Sequence, residues 1–190
     1  MPKRLVVGMS GASGQVLGIR LLEVLRQVPE VETHLVMSPA ARATIVQETS
    51  WSPAAVQALA DVVYRPGDIG AAIASGSFRT MGMVIVPCSI KTLSAVAHSY
   101  ASDLISRAAD VTLKEGRPLL LVVRETPLHL GHLRLMVQAA EMGAVIFPPM
   151  PAFYARPRSV EDIVDGLVGR ILARLGIENV LFDEWQGTQV

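Results

Sequence analysis

Short, continuous runs of apolar residues alternate along this chain with longer segments in which apolar residues recur every three or four positions. Runs of this kind are typical of strands buried on both faces of a parallel sheet, and the recurring pattern is typical of amphipathic helices. The pattern predicts strands over residues 5–9, 31–37, 62–64, 83–86, 119–123 and 144–147. It predicts helices over residues 16–28, 40–49, 90–97, 103–114, 130–142 and 160–175, and a short one that opens at 51–53 and ends near 60.

Alternation of strands and helices predicts right-handed crossovers and a doubly wound parallel sheet. We therefore expect a three-layer α/β fold, Rossmann- or flavodoxin-like, with residues 1–190 forming one domain. Glycines and other small residues fill positions 66–78, which makes this segment the best candidate for a mobile loop. Pro87 is expected to end the strand over 83–86.

The composition adds limits to this picture. Seventeen basic residues balance seventeen acidic ones, so no general field favours nucleic acid or an anionic membrane. The single Cys88 cannot form an internal disulfide, which suits the cytoplasm, and no apolar run reaches the roughly 18 residues of a membrane span. Hydrophobic residues make up 51% and charged residues 18%. This excess of apolar surface predicts a homo-oligomer.

Polar residues follow almost every predicted strand, at the edge where a doubly wound sheet binds its ligand. Residues 10–14 (Ser-Gly-Ala-Ser-Gly) form a glycine-rich turn whose helix N-terminus could hold a phosphate, although a plain tight turn with Ser13 as N-cap explains it equally well. The spacing is not the Gly-x-Gly-x-x-Gly of dinucleotide sites, and the second strand ends in Ser38 instead of an acid. Both features disfavour NAD and favour a mononucleotide such as FMN.

Six segments in order resemble the UbiX flavin prenyltransferases, historically labelled aromatic-acid decarboxylases. They are residues 10–14 (SGASG), 87–94 (PCSIKTLS), 107–115 (RAADVTLKE), 123–128 (VRETPL), 132–136 (HLRLM) and 149–154 (PMPAFY). Each segment alone is weak evidence, but the six in this order are specific for the family. The resemblance extends from Lys3 to Trp185. One departure is Leu17, where many relatives carry an aromatic residue, and we expect it to alter the packing around the allyl group.

The resemblance implies that reduced FMN, acting as a substrate, combines with dimethylallyl phosphate to give prenylated FMN and free phosphate. A fourth ring forms across flavin N5 and C6, and no metal is needed. The product serves a separate UbiD-type decarboxylase, commonly in ubiquinone biosynthesis. The family typically assembles as a dodecamer, in agreement with the apolar composition.

The resemblance also implies residue roles. FMN would be held by a set of turn and helix-start residues: Gly11, Ala12, Ser13, Ser38, Ser89, Ile90, Lys91, Thr92 and Arg124. The second substrate would be bound by residues of two later helices and the C-terminal region: Arg107, Lys114, Tyr154, Arg170 and Trp185. Part of this set would come from adjacent subunits. Ser38 and Thr92 could equally be helix caps, and Lys114 and Arg170 could be solvated surface charges.

Glu48 matches a family acid thought to transfer a proton at the flavin, and Ser13, Lys114 and Tyr154 complete the expected catalytic set. A desolvated carboxylate could accept the proton that ring closure removes from C6, and the released phosphate could share that role. A surface glutamate at a helix end remains the alternative. An unpaired Arg124 beside a buried strand would be costly, and Glu125 could simply pair with a neighbouring cation.

Two features carry less weight. His129 and His132 are three residues apart, but a metal site would need further ligands, and Cys88 has no evident basic partner. Two other functions remain open beside the prenyltransferase: an FMN-dependent decarboxylase of the peptidyl-cysteine type, and a flavin carrier without catalysis. The cations implied for a second phosphate favour the prenyltransferase.

Overall fold

The structure, a computed structural model, describes residues 3–182 and 184–187. The strands within these residues are β1 (Lys3–Met9), β2 (Val31–Met37), β3 (Val62–Tyr64), β4 (Gly82–Cys88), β5 (Leu119–Val123) and β6 (Val145–Ile146). The helices are α1 (Gln15–Leu25), α2 (Pro39–Glu48), α3 (Pro53–Gln57), α4 (Ile90–Ala97), α5 (Leu104–Lys114), α6 (Leu130–Glu141) and α7 (Val160–Arg174). Strand and helix alternate as the sequence pattern predicts.

Every strand pairing in the described sheet is parallel, and the strand order is β3-β2-β1-β4-β5-β6. The chain runs outward from β1 to β3, returns to β4 beside β1, and then runs outward in the opposite direction. The order therefore reverses between β1 and β4. In sheets of this type the ligand binds beyond the carboxyl ends of the strands at such a reversal.

Helices cover both faces of the sheet. A Cβ on Gly18 of α1 would lie 2.6 Å from the carbonyl oxygen of Val86, whereas a Cβ on Gly8 of β1 would lie 3.2 Å from the Ile105 side chain of α5. Alternate strand residues thus contact different helices, because successive side chains of a strand project to opposite faces. The central strands are almost completely buried, which confirms the predicted three-layer α/β fold.

Strand β4 is longer than predicted. It continues through Pro87 to Cys88, and its register against β5 shifts between Ile85 and Cys88. Proline has no N–H to donate to the neighbouring strand, and a local irregularity in the pairing accommodates it without ending the strand. The prediction that Pro87 ends this strand was wrong for that reason.

Segment 66–78 is held by contacts that the prediction of a mobile loop did not include. It contains a 3-10 turn, Ala72–Ala74, and Ile73 packs into the core. Backbone carbonyls at positions 74, 76 and 78 accept hydrogen bonds from Arg107 (3.2 Å) and Arg117 (2.7 and 2.9 Å). A Cβ on Gly76 would lie 2.1 Å from a carboxylate oxygen of Glu115, so the small residues here permit close packing.

Contacts divide the chain into two compact units, Met1–Pro149 and Met150–Val190. The first contains the sheet and α1 to α6, and the second contains a 3-10 turn, Phe153–Ala155, and α7. Within the second unit the Asn179 side chain donates to the Gly169 carbonyl (3.1 Å), which ties the chain after α7 back to that helix. The prediction of one domain over residues 1–190 stays a prediction. No helix among the described residues combines the length and apolarity needed to cross a membrane.

Candidate functional site

A cleft of about 350 Å³ opens at the carboxyl ends of β1, β2 and β4, where the strand order reverses. Small and hydroxyl-bearing side chains dominate its lining: Ser10, Gly11, Ser38, Pro39, Ala40, Ser89, Lys91, Thr92, Ala95, Ser102, Asp103 and Ser106. Five of these residues belong to the predicted flavin set. The cleft is thus located where a doubly wound sheet places its ligand.

The N-termini of three helices converge on this cleft. Ser38 caps α2 by accepting from the N–H of Ala41 (3.0 Å), and Ser89 caps α4 by accepting from the N–H of Thr92 (3.3 Å). Asp103 caps α5 in a reciprocal capping box with Ser106. Each helix N-terminus carries a partial positive charge, and Lys91 adds a full one. The carboxylate of Asp103 offsets the positive charge at the start of α5, so the starts of α2 and α4, together with Lys91, are the groups that suit a bound phosphate.

Ser38 and Ser89 are helix caps and also line the cleft, so the two interpretations of these residues are compatible. Each hydroxyl accepts a backbone hydrogen bond. The proton of Ser38 is available for a ligand oxygen, and the hydrogen-bonded hydroxyls of Ser89 and Thr92 have one proton between them to donate to a ligand. The Thr92 hydroxyl lies 3.2 Å from that of Ser89. Asp103, Ser102 and Ser106 were missed by the sequence reasoning, because they start the next helix along the chain and no glycine-rich turn precedes them.

Ser10 joins the turn after β1 to the end of β4. Its buried hydroxyl donates to the carbonyl of Pro87 (2.9 Å) and accepts from the N–H of Ser89 (2.8 Å). The Gln15 side chain fixes the same turn by donating to the carbonyls of Ser10 and Ala12, at 2.8 Å each. The predicted set of flavin-binding residues included neither residue, although Ser10 is the first residue of the predicted phosphate turn, residues 10–14. The signal for Ser10 was a hydroxyl directly after a buried strand.

Glu48 occupies the N-terminus of α1. Its carboxylate accepts from the N–H groups of Gly14 (2.9 Å) and Gln15 (3.1 Å), and the Ser13 side chain also bonds to it. The expectation that this helix start offers unpaired N–H groups to a phosphate was therefore wrong. The alternative of Ser13 as N-cap was wrong as well, because Gly14, with a φ of 100°, is the N-cap.

The pKa of Glu48 lies below its ordinary value. Burial raises this pKa, but the hydrogen bonds from Ser13, Gly14 and Gln15, and the positive charge of Arg124, lower it by more. The carboxylate is consequently ionised at neutral pH and is a weaker base than the desolvated acid that the sequence suggested. Its contact with Ser13 places two members of the predicted catalytic set side by side.

Arg124 follows β5, and its N–H donates to the carbonyl of Cys88 (3.1 Å), which places its backbone beside the start of α4. Its side chain is exposed, so the sequence argument that an unpaired guanidinium is costly there does not apply. Glu125 accepts a hydrogen bond from the N–H of Thr126 and forms no ion pair among the described residues.

Lys114 and Arg107 lie on α5 and do not line the cleft. Lys114 is the last residue of this helix and pairs with Glu115, while Asp103 at the other end lines the cleft. Eleven residues at 1.5 Å each separate the two ends by about 16 Å. Arg107 donates to the Ala74 carbonyl and pairs with Asp110 (2.9 Å).

Tyr154, Arg170 and Trp185 all belong to the second compact unit, and their side chains are exposed. The rings of Tyr154 and Trp185 meet edge to face, with 5.3 Å between centroids. The Arg170 guanidinium lies 5.9 Å from the centre of the Phe182 ring. The structure thus brings two of the three together.

The structure shows the surroundings of the two features that carried less weight in the sequence, Cys88 and the pair His129 and His132. Burial raises the pKa of the Cys88 thiol to about 12, so it is protonated and inert as a nucleophile at neutral pH. The rings of His129 and His132 contact each other with their centroids 3.5 Å apart and their planes tilted by 35°, and His129 caps α6. Among the described residues, no group of three or more histidine, cysteine or acidic side chains could hold a metal ion.

Comparisons with known proteins show to which family this chain is related. The Flavoprotein family model matches residues 1–172. Flavin prenyltransferase UbiX of Escherichia coli (strain K12) is 63% identical over 187 residues, which cover 97% of this chain and 99% of that protein. A crystal structure of AnUbiX (PadA1) in complex with FMN and dimethylallyl pyrophosphate is 51% identical, with a TM-score of 0.97 and full coverage of both chains.

A second solved structure has a similar fold. It is a dodecameric FMN-dependent UbiX-like decarboxylase from Escherichia coli O157:H7, 52% identical, with a TM-score of 0.95 and coverage of 97% of this chain and 100% of that one. Identity of this extent over nearly the whole length goes beyond a shared fold. The chain therefore belongs to the UbiX family of flavin prenyltransferases.

Proposed function

We propose that this chain joins the dimethylallyl group of dimethylallyl phosphate to N5 and C6 of reduced FMN. As the allylic C–O bond breaks and inorganic phosphate leaves, that carbon bonds to N5, which loses its proton. The remaining double bond takes up a proton at its inner carbon, its dimethyl-bearing carbon bonds to C6, and C6 loses a proton. The observation that carries the proposal is the convergence of the serine-capped N-termini of α2 and α4 and of Lys91 on one cleft at the strand reversal.

The cleft fits the phosphate end of FMN. Ser38, Ser89 and Thr92 offer hydroxyl donors, and Lys91 balances the negative charge. Gly11 lets the β1 turn approach α2, because a Cβ there would lie 2.4 Å from the Cβ of Ala40. The remaining members of the expected flavin set, Ala12, Ser13, Ile90 and Arg124, lie in or beside the same loops. The bound flavin supplies the nucleophilic N5 and C6 atoms.

Dimethylallyl phosphate would be bound by Arg107, Lys114, Tyr154, Arg170 and Trp185, which supply cations and donors for the leaving phosphate. Lys114 is about 16 Å along α5 from the cleft of its own chain, so we propose that it serves the cleft of another copy. This arrangement requires a homo-oligomer, for which a dodecamer is the proposed size. The dodecameric relative supports it.

Glu48 and Ser13 would act at the flavin. The carboxylate is held by three hydrogen-bond donors and is ionised, so it can accept a proton or stabilise positive charge on the ring. We propose that Glu48 takes part in removing the C6 proton, together with the released phosphate. The prenylated FMN would then pass to a UbiD-type decarboxylase, with ubiquinone biosynthesis as the expected setting and the cytoplasm as the expected compartment.

Anaerobic incubation of the protein with reduced FMN and dimethylallyl phosphate tests the proposal. Mass analysis of the flavin should show the gain of one isoprene unit, and free phosphate should appear in equal amount. Unmodified flavin with folded protein would refute it. Tight FMN binding without turnover would instead identify a flavin carrier, and decarboxylation of a cysteine substrate without an allyl donor would identify a cysteine decarboxylase.

A further inference from the structure

Helix α6 carries a row of apolar side chains on its solvent side. Leu130 is 59% exposed, Leu133 is 45% exposed and Val137 is 57% exposed, whereas Ala139 is the buried residue of this helix. Their spacing of three and seven residues puts them on one face. We call these three residues the α6 row.

This arrangement differs from ordinary surface exposure. Single apolar residues on a surface are common, but a helix normally turns its apolar stripe toward the core. Leu128 before the helix and Met142 after it are also partly exposed, at 40% and 36%. Apolar exposure that extends along a whole helix marks an interaction site.

Two charges of opposite sign accompany the α6 row. Arg134 and Glu141 are exposed, lie about two helical turns apart, and so project on the same side as Leu130 and Val137. Neither forms a hydrogen bond or ion pair within the described part of the chain. A partner that complements this face therefore presents an apolar row, with a negative group opposite Arg134 and a positive group opposite Glu141.

The same helix in a second copy meets this requirement. If two α6 helices pack antiparallel across a two-fold axis near Val137, each Arg134 faces Glu141 of the other copy, because Val137 lies midway between them. Contacts across a two-fold axis are self-complementary in this way. A helix that lies on a membrane would instead carry mainly Lys and Arg on its polar side, whereas the charges of α6 balance.

We propose that the α6 row, with Arg134 and Glu141, is the contact by which two copies of this chain pair antiparallel across a two-fold axis. The inference assigns a surface to the homo-oligomer that the proposed function requires. It concerns assembly alone, so a protein that fails to prenylate FMN but pairs through α6 would refute the function and leave this inference standing.

The first test compares two exposed apolar residues changed to the same acid. Val137→Glu should lower the native mass measured by light scattering by at least half, because it places two negative charges together at the axis. Ile69→Glu is the matched control, since Ile69 is 66% exposed but lies on the loop after β3, and it should keep the wild-type mass. A wild-type mass for Val137→Glu, with both variants folded by circular dichroism, would overturn the proposal and leave α6 open to a different protein.

The second test reverses the charges. Arg134→Glu alone, or Glu141→Arg alone, puts like charges opposite each other, and each should weaken pairing by about tenfold. The double variant Arg134→Glu/Glu141→Arg restores opposite signs across the axis and should recover most of the loss in concentration-dependent sedimentation. Losses that simply add in the double variant would exclude the antiparallel pairing.

Discussion

Glu48 has a structural role and a proposed catalytic one. Its carboxylate binds the start of α1, and we propose that the same carboxylate transfers a proton at the flavin. Its carboxylate takes up the free N–H groups at the start of α1, and these same bonds keep it ionised. A carboxylate held this firmly is a weak base, which leaves a role for the released phosphate in the proposed proton transfer. The proposed place of the flavin phosphate is therefore a different one, beside Lys91 at the serine-capped starts of α2 and α4.

The pH dependence of stability tests the cap. The pKa of Glu48 is lower in the folded chain than its ordinary value of 4.5, so its contribution is complete above pH 4.5 and is lost as pH falls through the folded-state pKa. Glu48→Gln should therefore lower the free energy of unfolding at pH 7 by about 0.5 kcal/mol, a small effect because the side chain is exposed and screened. Near pH 3 the difference from wild type should shrink. A constant difference measured by urea unfolding at both pH values would contradict the cap.

Ser10 has a buried structural role with a functional consequence. Ser10→Ala would leave the Ser89 N–H without its partner, at a cost of about 1–3 kcal/mol in unfolding free energy, whereas the Pro87 carbonyl keeps its bond from the backbone N–H of residue 10 (3.2 Å). Because Ser89 starts α4, FMN affinity measured by fluorescence quenching should fall as well. Ser77→Ala is the control, since its hydroxyl bonds only to Ser75 on the surface. Unchanged affinity for Ser10→Ala would show that the loop after β4 keeps its position without this link.

At the scale of the elements, two helices begin in the same way but only one faces the cleft. Ser38 starts α2 and Ser52 starts α3, and each accepts a backbone N–H and is followed by proline. Replacing either serine by alanine should cost about 1 kcal/mol of stability. Only Ser38→Ala should also weaken FMN binding. Equal loss of FMN affinity in Ser52→Ala would mean that the effect comes from general destabilisation and not from the cleft.

The helices and strands also show which parts of the structure the sequence predicts and which it does not. Apolar periodicity predicted the alternation and the bounds of β2, β5 and α4, because buried strands and amphipathic helices impose those patterns. Pro87 was misjudged because a register shift in the pairing with β5 is not visible in one strand alone. The cleft was found through residues that follow strands. Asp103 was missed because it starts α5, a helix that follows another helix and not a strand. The cap formed by Glu48 was missed because Glu48 is the last residue of α2, far along the chain from the start of α1.

At the scale of the whole molecule, Lys114 and the cleft of its own chain lie at opposite ends of α5. If each active site combines the cleft of one copy with Lys114 of another, two inactive variants should complement each other. Lys114→Ala keeps FMN binding and loses use of the allyl phosphate, and Lys91→Glu loses FMN binding and keeps Lys114. In assemblies formed from equal amounts of both, about a quarter of the sites should have an intact cleft and an intact Lys114, since copies distribute at random around a symmetric oligomer.

Prenylated FMN formation is the measurement for this complementation, and each variant alone is the control. The two proteins must be unfolded and refolded together, or expressed together, so that the copies mix within one assembly. Simple mixing of preformed oligomers should give no activity until subunits exchange. If co-assembled protein stays as inactive as either variant alone, Lys114 acts within its own chain. The distance along α5 would then have to be overcome by a rearrangement of that helix.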